Sequence, residues 1–184
     1  MPRRQDPDGF PGLSMAIGNR VKQLRTRHGV SLSALAAATR LGKGTLSELE
    51  RGRRNPTLDT LFAIATTLSV PLSELLVTDG ETTGGQRAQG QSVQAELIGR
   101  WTDPGQVVEV YRMTISAGRR DSKAHTQGVL ETVTVISGEV RVGATGDPAH
   151  LGTGQSHTFA GDQPHHYEGI ADHSSTVLVM RYPT

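Results

Sequence analysis

The stretch Ser31-Leu32-Ser33-Ala34-Leu35-Ala36-Ala37-Ala38-Thr39-Arg40-Leu41-Gly42-Lys43-Gly44-Thr45-Leu46-Ser47-Glu48-Leu49-Glu50-Arg51-Gly52 decides the fold of the first half of the chain. Ser31 is placed to cap a short helix carrying Leu35 and Ala38. Arg40-Leu41-Gly42 has the composition of a tight turn. A second helix from Lys43 carries Leu46 and Leu49 on its inner side and stops at Gly52. Two short helices joined by a three-to-four-residue turn, with Ala36 at the crossing, make the plan of a helix-turn-helix. The second helix turns Lys43, Gly44, Thr45, Ser47 and Glu48 outward, short polar groups that fit a major groove. Arg51, Arg53, Arg54 and Asn55 follow at once, placed to hold phosphates.

Outward from this pair, Ile17, Val21 and Leu24 line one face of a preceding helix that ends near Gly29. Asn55-Pro56-Thr57 opens a fourth helix with Leu58, Leu61, Phe62, Ala65 and Leu68 on its stripe, and Pro71 to Leu76 give a short fifth. The expected unit is a five-helix bundle over residues 13–77. Its charge fits a polyanion: residues 20–54 hold 9 Lys/Arg against Glu48 and Glu50 alone, a net +7. The whole chain is only +1, because residues 81–184 carry 8 basic against 11 acidic groups. A merely solvated helical face is the alternative that charge alone leaves open.

Composition then changes. Residues 78–92, with four glycines and no apolar periodicity, read as a linker. From residue 93 to residue 184 the pattern has period two. Val107 to Ile115, Thr132 to Ile136, Glu139 to Val142 and Thr176 to Tyr182 read as strands, with Ser137-Gly138 as a hairpin turn between the middle two. Short strands separated by Gly or Pro turns predict an all-β sandwich or barrel. The fold class is therefore two-domain, α followed by all-β.

The 184 residues suit one domain or two small ones, and the absence of cysteine excludes a disulfide scaffold, a Cys-ligated zinc and thiol catalysis. No apolar run is long enough for a secretory signal or a membrane span, which gives the expectation of a soluble, cytoplasmic protein. Six of the seven histidines lie in the second half. His157 shares a strand face with Phe159, His150 and His173 fall among turn residues, and His166 is expected to point opposite to His165.

The segments Gly18 to Arg25, Ser31 to Ala36 and Leu46 to Thr57, the last holding the pattern S-x-L-E-x-G-x-x-x-P-T, resemble the phage-repressor-like (Cro/C1, or XRE) helix-turn-helix. That resemblance implies that Lys43, Gly44 and Thr45 sit at the base-facing start of the recognition helix, and that Glu50 and Arg51 are partly structural. Ser33 and Ala34 stand where many members carry Gln or Glu, and Ser33 is the phosphate contact carried over there. The second half is similar to the cupin superfamily, a double-stranded β-helix or jelly roll. Gly118, His125, Gln127, Glu131 and Gly138 follow its first motif, with Gln127 in place of the second His. Gly154, Pro164 and His165 follow its second.

The cupin resemblance implies either a divalent transition metal held by His125, Gln127, Glu131 and His165, or an organic effector in a pocket with those residues at its mouth. The two resemblances in this order match XRE-cupin transcriptional regulators. They imply a double-stranded DNA operator, a small-molecule effector and a homodimer as partners, with no catalysis. An alternative from another class is a mononuclear iron oxygenase or epoxidase with a helix-turn-helix head. Its first-motif spacing is His-x-x-x-Glu, whereas five residues separate His125 from Glu131. An antitoxin or scaffold whose barrel binds another protein is the third.

Overall fold

A computed structural model describes residues 11–76, 86–89 and 92–184. The first half folds as α1 (Pro11–Arg27), α2 (Leu32–Thr39), α3 (Lys43–Glu50), α4 (Leu58–Leu68) and α5 (Ser73–Leu76). The caps form where their residue types require. Ser31 Oγ accepts from the Ala34 amide at 3.0 Å and Thr57 Oγ1 from the Thr60 amide at 3.2 Å. Arg40 takes the left-handed conformation, φ 59°, that ends α2 and turns the chain towards α3.

α1 crosses α3 at Gly18, where an added Cβ would stand 2.2 Å from the Leu49 carbonyl oxygen. Only a residue without a side chain allows that approach. Behind the crossing, Glu50 is buried and bonds Arg25 through both oxygens, at 2.6 and 3.0 Å. Arg25 also donates to the Val30 carbonyl at 2.9 Å, so one guanidinium ties α1, α3 and the α1–α2 turn together.

The second half is a jelly roll of β1 (Gln86–Gln89), β2 (Val93–Asp103), β3 (Gln106–Ser122), β4 (Leu130–Ser137), β5 (Glu139–Ala144), β6 (Ala149–Gly152), β7 (Ser156–Ala160) and β8 (His165–Pro183). All pairings are antiparallel, in the order β1-β2-β3-β8-β4-β7, with β5 joined to β8 and β6. β8 makes the barrel by bending. Its residues 165–169 pair with β5 and the end of β3, whereas residues 174–183 pair with β4 and the beginning of β3. Inward residues alternate along the strands, from Val107, Tyr111, Met113 and Ile115 to Val133, Val135, Leu178 and Met180.

Two expectations change here. Ser137-Gly138 is not a hairpin turn, since β4 and β5 pair with β8 rather than with each other. Gly138 turns a corner between sheets at φ 89°, and a Cβ there would lie 2.5 Å from Ser174 Oγ. Ser174 fills that corner by accepting from the Glu139 amide and donating to the Glu139 carbonyl. Of the stretch read as a linker, Gln86–Gln89 form the edge strand β1, while residues 78–85, 90 and 91 lie outside the described residues.

The two halves also touch extensively. Glu74 of α5 pairs with Arg20 of α1 at 2.6 Å and with Arg100 of β2 at 2.8 Å. The Ser73 amide donates to Glu109 of β3 at 3.1 Å. Asp59 of α4 pairs with Arg120 of β3 at 2.6 Å. The head therefore sits on the barrel rather than swinging from a tether.

Candidate functional site

The barrel brings together three of the four residues carried over for its site. His125 lies in the segment after β3, Glu131 on β4 and His165 at the start of β8. Their ligand atoms lie within 4.8 Å of one another. Glu131 Oε1 stands 3.0 Å from His125 Nε2 and 3.4 Å from His165 Nε2. Glu131 and His165 are both 0% exposed. Gln127 is exposed in the turn before β4.

The protonation pattern follows from partners. His165 Nδ1 is 2.7 Å from the Gln163 carbonyl, which can only accept, so Nδ1 carries the hydrogen. Burial, the largest influence on His165, holds its pKa below the usual imidazole value and keeps it neutral. Its Nε2 then presents a lone pair towards Glu131 Oε1. Burial pushes the Glu131 carboxyl up, but His125, His165 and the Tyr167 hydroxyl, which donates to Oε2, together bring it below its ordinary value. Glu131 is therefore a carboxylate.

Glu131 Oε1 and His165 Nε2 are buried 3.4 Å apart; His125 Nε2 is the one polar neighbour of Oε1 on its other side, and His165 Nε2 has no hydrogen-bond partner among the described residues. Two facing acceptors in a dry site repel unless a cation or proton stands between them. That arrangement fits a metal. Two imidazoles and one carboxylate form a donor set competent for non-haem iron, and suited also to zinc or manganese. His125, Glu131 and His165 would hold the ion, which supplies Lewis acidity. The Gln163 carbonyl and Tyr167 would orient the ligands from behind. Gly161 completes the cradle: its carbonyl accepts from the His125 amide at 2.9 Å, and a Cβ on it would lie 2.7 Å from Glu131 Oε1.

The head closes the barrel mouth. Phe62 of α4 lies with its ring centroid 4.7 Å from that of His125, and Arg120 sits 5.7 Å over the same ring. The apolar stripe places Phe62 in the bundle's own core; Ile64 is buried in that core instead, and Phe62 is turned to the barrel. Beneath it the space between Phe62, Tyr111, Tyr167 and Leu178 amounts to about 10 Å³, room for one water at most. Asp59, Phe62, Arg120 and Tyr167 carry no local signature, since each acquires its contact from a residue 36 or more positions away.

Within the head, Lys43, Gly44 and Glu48 are exposed along α3, with Thr45 and Ser47 half-buried between them. Ser33 of α2 and Arg51, Arg53, Arg54 and Asn55 are exposed beside them. Asn55 is held by a hydrogen bond from Ser14. Lys43, Arg51, Arg53 and Arg54 have no carboxylate partner among the described residues, so four cations face solvent together. That array suits phosphate.

A basic helix-turn-helix head on a jelly roll lined by His and Glu defines a class, the DNA-binding regulator with a cupin domain. Comparison with known proteins agrees. Residues 21–75 match the family described as HTH_3, helix-turn-helix. The HTH-type transcriptional regulator SutR of Escherichia coli (strain K12) is 33% identical over 156 residues, 84% of this chain and 88% of that protein. Among solved structures, an HTH_3 family transcriptional regulator from Vibrio cholerae superposes with TM-score 0.83 at 27% identity, over 95% of this chain and 99% of that one. The cupin_2 domain of an XRE family regulator from Enterobacter cloacae covers 51% of this chain and all of its own, at 27% identity and TM-score 0.46. The chain belongs to the XRE-type HTH_3 family of transcriptional regulators. No helix among the described residues is long and apolar enough to cross a membrane.

Proposed function

We propose that this regulator binds a double-stranded operator as a homodimer and changes its grip when the cupin half takes up a small-molecule or divalent-metal effector. Lys43, Gly44, Thr45, Ser47 and Glu48 read base edges, and Ser33, Arg51, Arg53, Arg54 and Asn55 hold phosphates. Two heads on half-sites about 34 Å apart multiply affinity through effective concentration. The single observation that carries the sensing step is the packing of Phe62 on His125: a residue of the DNA-binding head rests on a side chain of the His-Glu-His cluster. Occupancy of the cluster then favours one placement of α4 over another, and only that difference in affinity can shift DNA binding.

The test is elemental analysis of the untagged protein, beside operator titration of the metal-loaded and chelated forms. The operator comes from selection out of random DNA. About one transition-metal ion per chain, lost in His125→Ala, together with an operator affinity that differs between the two forms, is the expected result. Equal affinity in both forms sinks metal sensing. A second reading, an iron-dependent oxygenase carrying this head, draws on the two-histidine, one-carboxylate donor set. Oxygen uptake by the Fe(II)-loaded protein with a candidate substrate would favour it.

A further inference from the structure

A cleft of about 350 Å³ opens between head and barrel, at the low end of small-ligand pockets. One wall is α4 with Phe62 and Ala63, a second is the α2–α3 turn with Arg40 and Leu41, and the third runs from Arg120 to His125. Three cations face it, Arg40, Arg120 and Lys123, against Asp59 and Asp121. Asp121 is engaged by Arg119 at 2.7 Å, and Asp59 by Arg120. Arg40 and Lys123 are left without an ion-pair partner among the described residues.

We propose that this cleft is an effector site and that it takes a small organic acid, whose carboxylate displaces Asp59 from Arg120 while its apolar body lies on Phe62, Ala63 and Leu41. The inference rests on the regulator reading and adds, beside the His125–Glu131–His165 cluster, a second effector place with its own ligand class. The Arg120 side chain is 7% exposed and donates to Ser122 Oγ at 2.7 Å, so it is a fixed anchor. A guanidinium so buried requires an anion opposite it, and losing one without replacement is costly. The Asp59 side chain is 54% exposed and can leave for water. Exchanging one carboxylate for another is close to neutral in charge terms. The surplus comes from apolar contact and from the two unpaired cations.

The exchange also has a direct route to DNA. Asp59 and Phe62 belong to α4, and Arg40 and Leu41 immediately precede the recognition helix α3. A ligand that parts Asp59 from Arg120 releases one of the ties between head and barrel while touching the turn that sets α3.

The full chain is titrated calorimetrically with butyrate, hexanoate, benzoate and phenylacetate, with sulfate as a bare-anion control, in the absence of DNA. One carboxylate binds one per chain in the expected outcome, and more tightly than sulfate. Arg120→Gln weakens it by about tenfold or more, the loss of a charge-assisted contact. Asp59→Asn tightens it, because a competitor is gone. No binding by any of the four, equal binding of sulfate, or binding unaffected by Arg120→Gln overturns the site. Should Arg120→Gln fail to fold, Asp59→Asn decides alone: unchanged or weaker binding overturns the proposal. The ligand that binds must also alter affinity for the selected operator, and unaltered affinity removes the effector role. A chain that binds the acid but no DNA at all keeps the site and instead sinks the regulator reading.

Discussion

The outer face of α3 and the His125–Glu131–His165 cluster are built in opposite ways. The first gathers its charges within a few consecutive turns of chain, leaves them exposed and gives the cations no internal partners among the described residues. The second draws on residues 40 positions apart, buries Glu131 and His165 completely and leaves their polar atoms facing one another. A surface that meets DNA must stay solvated until the phosphates arrive. A site for an ion or small ligand must be dry and already converged. One helix can supply the first, whereas only closure of a barrel supplies the second.

The sharpest way to separate the two regions is Glu50→Ala. It strands Arg25 in a mostly buried position beneath α3, at a cost of about 3 kcal/mol. DNA binding is expected to collapse, while metal uptake by the barrel persists. Chemical denaturation followed by far-UV circular dichroism, beside metal titration, checks both. Unchanged stability would mean that α3 is held by its leucines alone.

Within the exposed region a smaller contrast is expected. Lys43→Ala should cost about 1–3 kcal/mol at one operator position and relax preference there. Arg53→Ala should weaken all sequences alike and lower the slope of log affinity against log salt by about one. Titrations at several salt concentrations on matched and mismatched duplexes read both effects. A changed preference with an intact slope in Arg53→Ala would reverse the division between base and phosphate contacts.

These differences also explain what can be read in the amino-acid sequence. The head is legible because its signals are local: Ser31 and Thr57 cap, Leu46 and Leu49 face inward, and Glu50-Arg51-Gly52 ends α3. His125, Glu131 and His165 can be named only through the resemblance, and nothing in their spacing says that their atoms converge. The convergence depends on the bend of β8, which moves its first residues from one sheet to the other. The same bend separates β4 from β5 and removes the hairpin that Ser137-Gly138 suggests. Phe62 misleads for a related reason. Its place on an apolar stripe is genuine, but the stripe of α4 serves two partners, the bundle and the barrel.

Inside the barrel the expected effect of Tyr167→Phe is more modest than the loss of a ligand. The variant keeps the ring and removes the hydroxyl that donates to Glu131 Oε2. Loss of such an outer hydrogen bond typically lowers metal affinity by about tenfold or more. Competition with a chromogenic chelator measures it. Affinity equal to that of the parent would mean that Glu131 is positioned by the histidines and Gly161 without help from behind.

The finest test concerns Glu109, where the head meets the barrel through α5. Its side chain is buried inside the barrel, accepting from the Ser73 amide of α5 at 3.1 Å and from the Tyr111 hydroxyl at 2.5 Å. Burial raises its pKa above the ordinary carboxylate value, and the bonds from Ser73 and Tyr111 offset only part of that rise. Between the unfolded value near about 4.3 and the raised native one, the folded chain therefore holds more proton than the unfolded chain. This group makes stability fall as pH rises through that window and contributes nothing further above it. The side-chain amide of a Glu109→Gln variant does not ionise, so the stability of the variant relative to the parent should climb across the same window and then level off. Urea midpoints for both proteins at a series of pH values from about 4 to 8, spanning the ordinary and raised carboxylate ranges, give the difference directly, because every other titrating group cancels. A relative stability that falls instead would show that Ser73 and Tyr111 outweigh burial, making the contact between α5 and β3 a stabilising anchor of the ionised form. A change in the pH dependence of operator binding as well would place Glu109 on the route between barrel and head.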